Sequence, residues 1–269
     1  MKLIIVGLIG LILLLLFIIN RRQGIEYFMS TAGRWAILQY DDRPLGTNEQ
    51  ALIDINKLYA KKHNYDYVFL NSGYEQLPPY WIKVAAVRDL LASGKYVGVC
   101  WIDTDAVFVN HRQSIEGLFD NNSNNSNNSS PSFLYSPDPP LWSSKFNAGV
   151  WFVRNDTGGA AIMNDWFASW QLVAKDWSKD GNNVWTCKTP WAGPSYEQGA
   201  FVNTILTAPA FASATQSLPY QYLQSIDAKN PNAFTLHFAG HQKTQIPTFL
   251  NDINRTHSLL ESDSAHVRP

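Results

Sequence analysis

The stretch from Tyr96 to Asn110, YVGVCWIDTDAVFVN, constrains this chain most. An apolar run from Tyr96 to Ile102 stops at two carboxylates one residue apart, Asp103 and Asp105, and apolarity resumes from Ala106 to Val109. A seven-residue apolar run of this kind predicts a strand covered on both faces, as in a parallel sheet. Charge does not sit in such surroundings without a partner. Open α/β sheets bind ligands at the carboxyl ends of their strands. Two aspartates there can point at one hard cation, with Mg²⁺ or Mn²⁺ bridging to a diphosphate. The plain alternative is a strand running into a turn, with Asp capping the next element.

The flanking pattern supports a nucleotide-binding half. Trp35–Tyr40 predicts a first strand, ending in the loop Asp41-Asp42-Arg43-Pro44. Thr47 with Gln50 three residues on has the form of a capping box. It opens a helix to about His63 with an apolar stripe of Leu52, Ile55, Leu58 and Tyr59. Tyr65–Leu70 predicts a second strand. Pro78-Pro79 opens a helix closed by Gly94. Strand, helix, strand, helix, strand at this spacing is Rossmann-like. Further on, Phe133–Tyr135 and Phe146–Val153 predict strands. Asp156 caps a helix to about Lys175, and Trp177–Ser195 is a long loop. Glu197–Leu206 predicts a helix, Phe234–Phe238 a late strand and Pro247–Leu260 a last helix. Asp120–Ser132, DNNSNNSNNSSPS, is too polar to pack a core and predicts a disordered insertion, with residues 121–132 at its heart.

The amino terminus predicts a membrane anchor over residues 1–22 and a short stem over 23–34. Leu3–Ile19 holds seventeen residues without a polar side chain, and no small-x-small cleavage site follows. Lys2 on one side nearly balances Arg21-Arg22 on the other, so the positive-inside rule leaves orientation open. Sequons at Asn121, Asn124, Asn127, Asn128, Asn155 and Asn254 are usable if the domain is lumenal. A Cys100–Cys187 disulfide is allowed there but is not deducible from sequence. The formal net charge of −1 over 269 residues gives no basic excess for nucleic acid. The ten Trp suit both sugar faces and a core.

Five pieces then fall in order: Trp81-Ile82-Lys83 with Arg88, Asp103-Thr104-Asp105, Phe146-Asn147-Ala148-Gly149, Glu197-Gln198, and His237-Phe238-Ala239-Gly240 with Lys243. In these segments, and in LYAKKHNYDYVFL and YEQGAF, the chain resembles the retaining glycosyltransferases of family 34, the Golgi galactosyl-, mannosyl- and xylosyltransferases of fungi and plants. The resemblance spans roughly Trp35 to Lys243. The late His-x-x-Gly-x-x-Lys pattern also resembles the glycogenin-like family 8.

The resemblance implies a GT-A fold over 35–269, an α/β architecture with a central mixed sheet flanked by helices. It also implies a nucleoside-diphosphate sugar donor, a glycan or glycoprotein acceptor, and a type II protein facing the Golgi or endoplasmic reticulum lumen. Asp103, Asp105 and His237 are the implied metal ligands, for Mn²⁺ in preference to Mg²⁺ because imidazole suits the softer ion. Glu197, Gln198, Asn147 and Lys83 are implied at the reacting centre. Gln39, Tyr40, Asp41, Lys83, Arg88, Asp103, Thr104, Asn147, Ala148, Gly149, Gly240 and Lys243 are expected to hold the nucleotide sugar. Departures from the family pattern are Tyr196, where plant members carry an acid, and His241, where many carry Cys. A metal phosphohydrolase and a membrane-tethered carbohydrate-binding module are the competing readings, but the first shows no phosphate loop and the second leaves Lys83, the Asp pair, Gln198 and His237 unexplained.

Overall fold

The computed structural model describes residues 33–122, 130–140, 142 and 144–253. The expected anchor, the stem up to residue 32, the centre of the Asn/Ser insertion and the end of the expected last helix lie outside the described residues. Among the described residues no helix is long and apolar enough to cross a membrane.

Six strands form one mixed sheet in the order β2-β1-β3-β6-β5-β9. They are β1 (Trp35–Tyr40), β2 (Asp66–Leu70), β3 (Gly98–Ile102), β5 (Phe133–Tyr135), β6 (Val150–Arg154) and β9 (Thr215–Ser217). Strands β1, β2 and β3 run parallel, and β6 lies antiparallel to β3, with Ile102 opposite Val150. The two-residue period separates the faces. Leu38, Val99, Trp101, Trp151 and Val153 share one core with helices α2 (Pro79–Ala92) and α4 (Thr157–Val173). Ile37, Cys100, Ile102, Val150 and Phe152 share the other with α1 (Thr47–His63) and α3 (Ile115–Asn121). Every residue of β3 is buried, as its unbroken apolarity requires. A second, two-stranded sheet pairs β4 (Ala106–Phe108) with β10 (Thr235–His237), antiparallel, under α1 and a helix over 246–253.

Several local expectations are corrected. The helix at Thr47 has Gly46 as its N-cap and no side-chain cap, so the Thr47–Gln50 capping box does not form; Gln50 instead donates to Asp54 one turn on. The stripe on α1 uses Leu52, Ile53, Asn56, Tyr59 and Ala60, while Leu58 is 60% exposed. Helix α3, capped by the Ser114 hydroxyl on Gly117 N–H, runs into the expected insertion as far as Asn121. At its other end Ser132 is buried and its amide donates to Ala214. The expected strand from Phe146 begins only at Val150, because Asn147-Ala148-Gly149 makes a turn. The Trp177–Ser195 loop contains a hairpin, β7 (Trp177–Lys179) with β8 (Trp185–Cys187). Cys100 and Cys187 are both free thiols, the former buried in the sheet.

Asn155 is not an open sequon. Its side-chain amide donates to Leu91 O at 3.1 Å and Tyr96 O at 2.9 Å, and its backbone amide donates to Val97 O at 2.7 Å. The residue clasps the end of β6 to the α2–β3 connection, and a glycan on that nitrogen would displace one of the two donated hydrogens. Asn155→Ala is expected to lower stability by about 1–3 kcal/mol, since two carbonyls lose their partner. Urea denaturation that leaves the midpoint unmoved would contradict this role.

Candidate active site

The topology explains why residues far apart in sequence converge. Strand β3 ends at Ile102, and the chain bends through Asp103-Thr104-Asp105 into β4. Three backbone bonds fix this bend. Asp103 N–H donates to Gly149 O at 2.8 Å, Ala106 N–H donates to Asp103 O at 3.0 Å, and Phe238 N–H donates to Asp105 O at 2.8 Å. The turn before β6 and the end of β10 are thereby held against the two aspartates.

Asp103, Asp105 and His237 each offer one ligand atom, and these atoms lie within 4.8 Å of one another. His237 Nε2 is 3.4 Å from Asp105 Oδ1 and 3.9 Å from Asp103 Oδ2. Its other ring nitrogen, Nδ1, lies 2.8 Å from Gln224 Oε1. The Gln224 NH₂ donates to Ser136 Oγ, Asn147 O and Val150 O, so the amide orientation is fixed and its oxygen must accept from Nδ1. That bond sets the tautomer and aims Nε2 at the carboxylates, the arrangement a metal-ligating imidazole requires. A Cβ on Gly149 would collide with the His237 ring, so glycine is needed beneath it. Burial works against charge on His237, but the bond to Asp105 and the two carboxylates outweigh it and hold the imidazolium above its ordinary range. Burial likewise opposes ionisation of Asp105, and His237 and Lys243 overcome it, so that carboxylate stays below its usual range. This donor set fits a divalent cation such as Mn²⁺.

Lys83 leaves mid-helix on α2 and is 7% exposed. Its Nζ donates to Asp103 Oδ1 at 2.9 Å and Ala148 O at 3.0 Å, and lies 3.9 Å from Glu197 Oε1. Burial would strip its proton, but Asp103 and Glu197 prevail and keep the ammonium above its ordinary value. Trp101 Nε1 donates to the same Asp103 oxygen at 2.7 Å. Glu197 opens α5 (Glu197–Thr204) and is 4% exposed. Its Oε2 has no hydrogen-bond partner, and burial pushes its carboxyl up to about 7 despite Lys83.

Asn147 and Gln198 are joined through Asp138. Asn147 Nδ2 donates to Asp138 Oδ1 at 2.6 Å, and Gln198 Nε2 donates to Asp138 Oδ2 at 3.2 Å. Asn147 Oδ1 accepts from Gly149 N–H, and Gln198 Oε1 accepts from Ala148 N–H. Burial raises the Asp138 carboxyl, against the two amide donors. The only sequence signal for Asp138 is a lone acid between two prolines after a strand, and Gln224 gave none.

Two adjoining cavities meet at this point. The larger, about 1030 Å³, reaches Asp138, Asn147, Ala148, Gly149, Gln198 and the Gly240–Lys243 turn. The smaller, about 320 Å³, is bounded by Tyr40, Asp41, Arg43 and Thr104. Tyr80, Lys83, Asp103 and Asp105 line both. In the smaller one Asp41 binds Arg43 with both oxygens at 2.7 Å and accepts from Thr104 Oγ1 at 2.8 Å. Lys243 Nζ lies 3.2 Å from Asp105 Oδ2.

Two expected residues are elsewhere. Arg88 lines neither cavity. Five residues beyond Lys83 it has turned to another side of the helix, where it pairs with Asp89 and lies 3.8 Å from the Phe167 ring centre. Gln39 is fully buried behind the site. It accepts from Tyr67 and donates to Asp103 O at 3.0 Å, so it positions the aspartate bend, and it lines neither cavity.

The family model for the galactosyl transferase GMA12/MNN10 family matches residues 41–247. The chain belongs to this family. Over 90 residues it is 32% identical to a protein named "Probable alpha-1,2-galactosyltransferase gmh1" from Schizosaccharomyces pombe; the aligned part is 31% of this chain and 27% of that protein. Among solved structures, it is similar to a glycosyltransferase involved in the glycosylation of the major capsid of PBCV-1. That likeness has a TM-score of 0.58 at 14% identity and covers 80% of this chain and 100% of the other. The fold is GT-A, as the sequence implied, and the family is one of glycosyltransferases. That membership favours the transferase reading over the phosphohydrolase and binding-module readings.

The orphaned Glu197 supplies a pH test. A carboxyl raised from 4.5 to about 7 on folding favours the folded state in its neutral form. That stability is complete below about pH 4.5 and lost as pH rises through 7. Glu197→Gln, which stays neutral, is expected to gain about 2 kcal/mol over wild type between pH 5 and pH 8. A pH-independent difference in denaturation midpoints would show that Glu197 is not held neutral by burial.

Proposed function

We propose that this protein is a metal-dependent, retaining glycosyltransferase that moves a hexosyl or pentosyl unit from a nucleoside-diphosphate sugar to a glycan hydroxyl. The observation that carries this reading is the convergence of His237, from the larger cavity, with Asp103, Asp105 and Lys83, which line both cavities. The smaller cavity suits the nucleoside, with Tyr40, Asp41 and Thr104 on its wall. The larger suits the transferred sugar and its acceptor. UDP-sugars are the donors proposed, and Mn²⁺ the cation.

The chemistry follows from where charge develops. When the bond between the anomeric carbon and the diphosphate breaks, negative charge grows on the departing oxygens. A cation on the two carboxylates and the imidazole would supply Lewis-acid stabilisation of that charge. Lys83 and Lys243 add fixed positive charge beside the same carboxylates, already oriented and partly desolvated. Gln198 and Asn147, locked through Asp138, present fixed amide groups to the sugar. Asp103 and Ala148 O hold Lys83 charged and in place, with Glu197 beside it at 3.9 Å. An uncleaved amino-terminal anchor, with the domain in the Golgi or endoplasmic reticulum lumen, completes the proposal.

A donor panel of UDP-galactose, UDP-glucose, UDP-xylose and GDP-mannose, incubated with the full chain and Mn²⁺, tests the reading. One donor is expected to turn over, with the product's anomeric configuration retained by NMR. Asp105→Ala is expected to lower kcat about a thousandfold while remaining folded. Failure of all four donors, or wild-type turnover by the variant, would overturn it.

A further inference from the structure

The larger cavity has a wall that the reaction centre does not use. Trp191 lines it and is 68% exposed. A single exposed Trp is unremarkable on a protein surface, but this one is built into place. Its ring centre lies 4.8 Å from Tyr80 at 78° and 5.2 Å from Tyr196 at 60°. Tyr80 and Tyr196 are themselves 5.1 Å apart, and Trp177 lies 4.9 Å from Tyr196.

The loop behind them is rigid. Trp81 and Trp177 both donate their indole N–H to Ser195 O, at 3.1 and 2.8 Å, and Ser195 Oγ donates to Asp176 at 2.6 Å. Gly193 N–H donates to Pro190 O, and Tyr196 N–H donates to Gly193 O, both at 3.0 Å. Ala192, next to the exposed indole, holds φ at 54°, in the left-handed region that non-glycine residues rarely enter. A loop pinned at Ser195 and holding a left-handed alanine, yet leaving a large aromatic uncovered inside a reaction cavity, marks a binding surface. Across the same cavity Trp142 is 36% exposed beside the His241 ring, and Asp138 and Asn203 also border the space.

We infer that Trp191 is the stacking platform for a pyranose ring of the acceptor glycan. A pyranose presents a face of C–H bonds to an indole π-surface and directs its hydroxyls sideways to polar groups. The occupant is the acceptor because Trp191 lines only the larger cavity, whereas Tyr40, Asp41 and Thr104, proposed above for the nucleoside, line only the smaller one. A volume of about 1030 Å³ is at the upper end for a single small ligand. It leaves room for an acceptor ring beyond the donor sugar. This assignment rests on the transfer reaction proposed above and names its acceptor as an oligosaccharide that offers a pyranose C–H face.

Saturation-transfer NMR on the full chain with UDP and Mn²⁺ tests it, using α-1,2-mannotriose, cellotriose and maltotriose as probes. At least one trisaccharide is expected to bind saturably, with its strongest contacts on ring C–H protons. Trp191→Ala should weaken that binding about tenfold or more, the loss of one aromatic anchor. Trp191→Phe should hold it within about threefold. Thermal melting and UDP affinity serve as folding controls. Equal binding by Trp191→Ala, or no binding of any probe to wild type, overturns the platform. Trp191-dependent binding in a protein that turns over no donor would instead overturn the transfer reaction and leave the platform standing.

Discussion

The site depends on one buried ammonium. Lys83 comes from the middle of α2, and Nζ reaches Asp103, Ala148 O and the edge of Glu197. It ties the helix to the end of β3 and to the turn before β6. Burying a lysine costs several kcal/mol unless its partners recover the loss. Here two acids and a carbonyl do so. The same contacts that keep Lys83 charged fix Asp103, so its other oxygen faces Asp105 and His237. Removing the lysine would leave two acids facing each other in a desolvated space, and the bend would lose its anchor.

Around that contact the structure builds support from uncharged amides. Gln224 holds the His237 tautomer from behind, Gln39 holds the Asp103 carbonyl from below, and Asn147 and Gln198 share Asp138. Each of these amides is satisfied by backbone or side-chain partners, so the groups facing the cavities are oriented before any ligand arrives. Catalysis by fixed dipoles and charges needs this kind of preorganisation.

The sequence revealed the elements whose signal is local. The unbroken apolarity of Gly98–Ile102 announced a central strand, and Asp103-Thr104-Asp105 announced the carboxylate bend at its end. Pro79 and Asp156 marked helix starts that the structure shows. What could not be read was set by long-range contact. Gln224 and Asp138 look like ordinary polar residues until folding brings them 13 and 9 residues along the chain to His237 and Asn147. Arg88 looked functional because it is a cation near Lys83 in sequence, but helical rotation sends it to Phe167. Thr47 and Gln50 matched a capping pattern one residue too late, since the helix takes its cap from Gly46. Asn155 matched a sequon, but its amide is spent on Leu91 and Tyr96.

In the proposed site the imidazole of His237 joins the two carboxylates on one cation. Pulsed electron paramagnetic resonance of Mn²⁺ bound with UDP measures this most directly. A ¹⁴N coupling from a directly bound imidazole is expected, absent in His237→Ala while the carboxylates still hold some metal. A bound Mn²⁺–UDP complex without nitrogen coupling in the wild-type protein would contradict it.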